Sequence, residues 1–260
     1  MATGYVEGDT NLQFGGAEAS ITITLAAGNR VYAAFAWSST TETLTSIQSD
    51  LDGAFTLANN PTGIAAGRSA HGYLTVATAG SHTITTTRSA NTSSCELQVF
   101  ELSDAGTVVA NTINAQTAPG TGTDAVTSTA ITTAANGILI GVSFDIGNAS
   151  APNLGTGMTA CTVTNAGTLG RPGRKATAGA GPTALTWTET DAAVDMLSTA
   201  MAFAPAGSSA VAPSVNDAVT VAETVGMKMH LHNTAANDSV TATEAITMHM
   251  PIGIRMEKLA

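Results

Sequence analysis

The fold is decided by residues 20–37, in which Ser20–Leu25 (SITITL) is followed, after a short turn, by Val31–Trp37 (VYAAFAW). In Ser20–Leu25 apolar and hydroxyl residues alternate, which is the pattern of a strand with one buried face. Val31–Trp37 is an almost continuous apolar run, which is typical of a central strand covered on both faces. The two segments therefore predict β-structure with a buried central strand.

The same two patterns recur along the chain between clusters of Gly, Ser, Asn and Pro. Many short strands separated by such turns indicate a sandwich or a barrel, and no segment before position 205 has the length and period of a helix. We predict an all-β, jelly-roll-like β-sandwich. Its other expected strands are Leu44–Ile47, Phe55–Leu57, His71–Val76, Ser81–Thr87, Cys95–Leu102, Val126–Thr133, Gly137–Phe144, Met158–Val163, Ala184–Thr188 and Leu197–Phe203.

The composition excludes several classes of protein. Only 11% of the 260 residues are charged, against about 25% in a typical globular protein, which argues against bundles and coiled coils. A mean hydropathy of +0.18 argues against disorder. Because the formal net charge is −10, we expect neither nucleic acid nor a membrane surface as a partner. We also expect no membrane span, and no secretion signal in Met1–Gly8.

The chain divides by composition into three parts. Residues 1–204 carry the sandwich pattern, residues 205–213 form a Pro/Gly/Ser/Ala linker, and residues 214–260 form a β-strand tail. In the tail, Asn216–Met229 is echoed by Asn237–Met250 at an offset of 21 residues, with seven of 14 positions identical. A repeat of this quality predicts two copies of one structural unit.

Each copy of the tail repeat alternates with a period of two, which predicts a strand with one apolar face. Two strands alone are marginal in water, so this Met-rich face has to be covered. The chain's own sandwich, the tails of other subunits and a host particle all remain open as the cover. The predicted interface residues are Val219, Val221, Val225, Met227, Met229, Leu231, Ile246, Met248, Met250 and Ile252.

The sequence offers no convincing catalytic constellation, and we expect no enzyme and no cofactor. His71 and His82 lie on predicted strands without a nucleophile motif nearby, and are interpreted as polar strand positions. Asp50 and Asp52 are interpreted as turn residues. Glu189 is interpreted, together with nearby Asp191, as part of a solvated strand end.

Metal binding is weakly suggested at one place. His230 and His232 stand two residues apart on a predicted strand, and imidazoles on one face could meet a transition metal on a threefold axis. They fall on the polar face, however, so solvated or interface histidines are the favoured interpretation and no metal is predicted. Cys95 and Cys161 are expected to be free, buried thiols.

The basic cluster Arg171, Arg174 and Lys175 lies in a Gly/Pro-rich segment that predicts an exposed loop. Such a loop could dock onto an acidic neighbour or an anionic glycan, although a solvated loop is the simpler expectation. Trp37 and Trp187 are expected in the core, with stacking on a sugar ring as the alternative.

Several of these segments together resemble a known group of proteins. The pattern of residues 20–31, 78–85, 101–103 and 137–142, with the repeated Asn-Asp-x-Val-Thr-x-x-Glu of the tail, is similar to the β-sandwich virion proteins of tailed bacteriophages. The resemblance covers residues 18–256 and consists of strand-and-turn patterns.

This resemblance implies a non-enzymatic structural role. The expected function is an outer capsid decoration or cement protein held by its C-terminal strands, on the virion surface after assembly in the host cytoplasm. The implied partners are the major capsid protein or other virion proteins and further copies of the chain, with a trimer favoured. The alternative is a tail or fibre component that recognises the host through a glycan.

Overall fold

The computed structural model describes residues 2–14, 18–64, 67–116, 124–146, 152–164, 169–189, 195–207, 227–230 and 255–258. The chain forms two units, Met1–Ser208 and Ser209–Ala260. None of the described residues is helical, and the all-β prediction is confirmed.

Nine strands make up the first half of the larger unit. They are β1 (Gly4–Gln13), β2 (Ser20–Leu25), β3 (Arg30–Trp37), β4 (Leu44–Ser49), β5 (Gly53–Ala54), β6 (Thr56–Ile64), β7 (Gly67–Thr75), β8 (Gly80–Arg88) and β9 (Cys95–Ser103).

The strands of the second half follow directly. They are β10 (Ala105–Gln116), β11 (Asp124–Thr127), β12 (Ile131–Thr133), β13 (Gly137–Ile146), β14 (Asn153–Leu154), β15 (Thr159–Ala160), β16 (Gly170–Thr177), β17 (Gly181–Thr183), β18 (Thr186–Glu189) and β19 (Asp195–Pro205).

The strands form two antiparallel sandwiches. In the first sandwich the inner sheet has the order β1-β9-β3-β7-β6 and the outer sheet the order β2-β8-β4-β5. In the second sandwich the inner sheet has the order β10-β19-β13-β16-β15, the outer sheet the order β11-β18-β14, and β12 pairs with β17. In both, the first strand lies beside the last and successive strands cross between sheets, which agrees with the predicted jelly-roll connectivity.

Three apolar clusters show that the two inner sheets pack on each other. One cluster lies between the inner and outer sheets of the first sandwich and includes Phe35, Ile47 and Ile84. The second joins the two inner sheets through Tyr32, Phe100, Ile140 and Phe203. The third lies inside the second sandwich around Leu139 and Trp187. The layers therefore follow the order outer, inner, inner, outer.

This stacking explains the two sequence patterns. Every residue of Val31–Trp37 is buried, because odd-numbered side chains of β3 face the outer sheet and even-numbered ones face the second sandwich. In β2, by contrast, Ile21, Ile23 and Leu25 are buried whereas Thr22 and Thr24 are exposed. The sequence did not predict β1 or β10, whose alternation is broken by polar residues.

In the smaller unit, two strands are described, β20 (Met227–His230) and β21 (Arg255–Lys258). They pair antiparallel, with Met229 opposite Met256. The second strand thus lies beyond the second copy of the sequence repeat. The other predicted tail strands lie outside the described residues.

The connection between the sandwiches yields a prediction. Asp104, the single residue between β9 and β10, has a left-handed backbone with φ of 51°. This conformation costs about 1–2 kcal/mol for residues with a Cβ and is worst for β-branched ones. We expect Asp104→Gly to raise the free energy of unfolding by up to about 1 kcal/mol and Asp104→Val to lower it by about 1–2 kcal/mol. Denaturant unfolding of the three chains checks the order, and equal stability of Gly and Val variants would contradict it.

Candidate interaction surfaces

The outer face of the first sandwich is an uncharged, hydroxyl-rich surface. β2 and β8 turn their apolar residues inward and leave Ser and Thr outward, and Ser20 Oγ lies 3.2 Å from Thr85 Oγ1 across the strands. Threonine side chains have few rotamers, so little conformational entropy is lost when such a surface is covered. The outward residues are Ser20, Thr22, Thr24, Ser46, Gln48, Ser81, Thr83, Thr85 and Thr87.

The second sandwich has a similar outer surface. Thr127 Oγ1 donates to Thr186 Oγ1 at 3.2 Å, and Thr188 pairs with Asn153 on the next strand. Neither outward set contains a charged residue, although the chain carries a net charge of −10. Two neutral faces therefore bound the stack on a strongly acidic protein.

The basic segment does not form the predicted loop. Arg171, Arg174 and Lys175 lie in β16, which pairs with β13 over its whole length. The sequence predicts a loop here because proline is uncommon inside sheets. The carbonyl oxygen of Pro172 accepts a hydrogen bond from Cys161 N, so the backbone nitrogen of Pro172 also points towards β15 and not towards β13. β15 pairs with β16 over only two residues. The missing N–H of Pro172 therefore removes no hydrogen bond between β16 and β13.

The three basic side chains also point to different surroundings. Arg171 is exposed, whereas the Arg174 guanidinium lies 4.4 Å from the centre of the Tyr5 ring. Lys175 Nζ donates to the Ala184 carbonyl at 2.8 Å. The three charges therefore do not form the predicted loop tip.

Both tryptophans are fully buried, as expected for core residues. Trp37 Nε1 donates to the Glu42 carbonyl at 3.1 Å, and Trp187 packs within the second sandwich. Neither indole can stack on a sugar ring in solution. The alternative interpretation of these residues as a glycan site is therefore wrong.

A buried polar cluster lies between the two sandwiches. Tyr32 Oη is 2.7 Å from Thr199 Oγ1 and 3.3 Å from His71 Nδ1, and all three residues are buried. Burial lowers the pKa of His71 to about 4, because the imidazolium would lose its hydration. Burial likewise raises the pKa of Tyr32. His71 is thus a neutral interior group and not a surface position.

Glu96 is a second polar link between the sandwiches. Its carboxylate accepts from the backbone nitrogens of Leu169 and Gly170 at 2.7 and 3.0 Å, and from Thr10 Oγ1 at 3.0 Å. Gln98 Nε2 also donates to it, at 2.6 Å. Burial raises the pKa of Glu96, and these donors oppose that shift. The sequence signal for this link is the presence of Glu96 and Gln98 inside a strand that is buried along almost its whole length.

A third polar cluster closes one end of the first sandwich. The Glu42 carboxylate forms a salt bridge with Arg88, whose NH1 lies 2.6 Å from it, and both side chains are buried. It also accepts from the backbone nitrogens of Thr92 and Ser93 and from their hydroxyls. Burial alone would raise the pKa of Glu42, but these hydrogen bonds and Arg88 lower it.

The remaining candidates have structural roles. Asp50 and Asp52 lie in a turn, as predicted, and accept backbone hydrogen bonds from Thr83, Ala77 and Thr78. Buried His82 contacts Ser49 Oγ and the Thr78 carbonyl. Glu189 is buried, so the solvated strand end was wrong. Cys95 and Cys161 are buried, as predicted, and neither forms a disulfide. Burial raises the pKa of Cys161 to about 12.

Three of the tail candidates lie in one described strand. Met227, Met229 and His230 lie in β20, and the other predicted interface residues and His232 lie outside the described residues. Within the described part of the chain no group of three or more His, Cys, Asp or Glu side chains could hold a metal ion. The same part contains no helix long and apolar enough to cross a membrane.

No protein family matches the chain, and no curated protein matches it.

The Glu42 cluster predicts a large loss of stability on neutralisation. Glu42→Gln leaves Arg88 buried with a weakened partner and replaces one acceptor oxygen with a donor, and disrupting a buried pair costs about 3–5 kcal/mol. We expect a loss of that order in denaturant unfolding at pH 7. Glu7→Gln, an exposed position on β1, serves as the matched control and should change stability by less than about 0.5 kcal/mol. A similar small effect at Glu42 would contradict the assigned role.

His71 predicts a pH-dependent stability. A base whose pKa is lowered by folding contributes stability above its unfolded value of 6.5, and this is lost as the pH falls towards its folded value of about 4. The full loss is about 3 kcal/mol. His71→Gln should remove this component, so its stability should fall less than the native chain's between pH 7 and pH 4. Parallel profiles for the two chains would contradict the prediction.

Proposed function

We propose that the chain is a non-enzymatic structural protein of a tailed-bacteriophage virion, an outer capsid decoration or cement protein held by its C-terminal strands. The observation that carries the proposal is the pair of uncharged hydroxyl faces on an acidic stack of sandwiches. A decoration protein has to cover a large protein surface without repelling other copies of itself. Neutral faces of stiff side chains suit such contacts.

The sequence of the tail supports the same proposal. Its repeated period-two pattern supplies strands with an apolar face, and a strand can join a partner by pairing with the free edge of a sheet. In this proposal the major capsid protein or another virion protein supplies that edge, the chain assembles as a trimer, and it lies on the virion surface. The sandwiches then project outward.

A glycan-binding tail or fibre component has less support. The residues named for it were the two tryptophans and the basic segment, and the tryptophans are buried while the basic side chains are dispersed. No specific observation favours this alternative, and the binding experiment described next distinguishes it from the decoration role.

The test is binding to particles of the encoding phage that lack the protein. Purified full-length chain is added to such particles, which are then sedimented and imaged by electron microscopy with the protein labelled. We expect saturable binding to the head. A matched chain ending at Gly207 should keep the melting temperature of the larger unit and lose binding at least tenfold.

Three outcomes would contradict the proposal. Labelling confined to the tail or fibre, particularly with a positive glycan array, would support the alternative function. Undiminished binding by the chain ending at Gly207 would reject the role of the C-terminal strands. A full-length chain that stays monomeric in light scattering, at concentrations that saturate the particles, would reject the trimer.

A further inference from the structure

The two sandwiches share one strand plan. In each inner sheet the first strand of the sandwich pairs with the last strand of the sandwich. The last strand also pairs with a strand that is buried on both faces, and two further strands complete the sheet. The outer sheets repeat the order of their first three strands, β2-β8-β4 in one and β11-β18-β14 in the other. The equivalent strands, in order, are β1 and β10, β2 and β11, β3 and β13, β4 and β14, β7 and β16, β8 and β18, and β9 and β19.

The equivalence extends to an irregularity in the first strand. The register of β1 against β9 shifts between Tyr5 and Glu7, and that of β10 against β19 shifts between Val108 and Ala110. The skipped residues are valines in both, and Val6 and Val109 are 47% and 41% exposed. Bulges protect edge strands from unwanted pairing. Two sandwiches of the same fold class need not have a bulge at the same register position, so the shared bulge is a more specific similarity than the strand order.

Two further details coincide. The Ser20–Thr85 hydroxyl contact and the Thr127–Thr186 contact occupy equivalent register positions, and each measures 3.2 Å. Two glycines with positive φ also match: Gly80 is the first residue of β8 and Gly181 is the first residue of β17, which immediately precedes β18, and their φ values are 141° and 153°. These glycines lie 101 residues apart, as do Thr85 and Thr186.

Contacts between the sandwiches come in reciprocal pairs. β10 packs on β6, and β1 contacts the segment after β15, where Thr164 N donates to the Gly8 carbonyl at 3.2 Å. β19 packs on β7, and β9 contacts β16, where Gln98 Nε2 donates to the Gly170 carbonyl at 3.0 Å. β3 and β13, which are equivalent, pack on each other. At the level of whole strands, this is the arrangement found in an isologous interface.

We infer that the chain is a tandem duplication of one sandwich, and that the surface between its halves is a self-complementary dimerisation surface whose fitting partner is a second copy of the same sandwich. Both faces are apolar at their centre. On the first face these residues are Tyr32, Ala34 and Ala36, and the equivalent residues of the second face are Ile140, Val142 and Phe144, all of them buried in the same cluster.

The test replaces residues 105–205 of the full chain with a second copy of residues 4–103, keeping Asp104 as the connection. A self-complementary surface should let this chain fold cooperatively, with the radius of gyration of the native chain in small-angle X-ray scattering. Phe100→Asp in both copies should separate the sandwiches and enlarge that radius. Thr83→Asp in both copies, on the outer faces, is the matched control and should not.

Two soluble sandwiches with no contact would overturn the inference. If the replaced chain is insoluble, a protease site inserted beside Asp104 in the native chain decides the matter. After cleavage, mild denaturation and refolding, native mass spectrometry should show pairs of two first sandwiches in addition to mixed pairs. Recovery of mixed pairs alone, or of monomeric halves, would overturn it.

Discussion

The structure depends on four strands that water does not reach from either side. β3, β9, β13 and β19 form the middle of the two inner sheets, and nearly all of their residues are buried. A strand in this position needs apolar or small residues on both faces, since a single unpaired charge would cost several kcal/mol. Ala33, Ala34 and Ala36 leave room for neighbouring aromatic rings. The low charge of the chain follows from this constraint.

The few polar groups inside the stack obey the same constraint. Glu96 and Glu42 are buried, and each accepts hydrogen bonds from two backbone nitrogens as well as from side chains. Glu101 likewise accepts from Ala26 N and Asn29 Nδ2. Buried carboxylates with this many donors fix the position of the segments that supply them. They therefore determine how loops and sandwiches are joined.

How well the sequence predicts a strand depends on whether one or both faces of that strand are buried. Ser20–Leu25 is predicted to the residue because one of its faces meets water and the alternation is visible. β16 was missed because Gly170, Pro172 and Gly173 favour a loop, and only the open side of the strand makes Pro172 acceptable. Stacking of two sandwiches was not predicted either, because a continuous apolar run shows that both faces are covered but not by what. For the same reason the buried state of His71 and Glu189 could not be read from strands of mixed composition.

The carbonyl oxygen of Asp104 accepts hydrogen bonds from two distant segments of the chain. Thr3 Oγ1 and Ala206 N both donate to it, and Thr3 N also donates to the Asn136 carbonyl. Hydrogen bonds at Asp104, which lies between the two sandwiches, thus hold both Thr3, near the N-terminal end, and Ala206, after the last strand of the larger unit. A pull applied between the N-terminal end and the C-terminal segment would act first on these hydrogen bonds, because they hold Thr3 and Ala206 at the same residue.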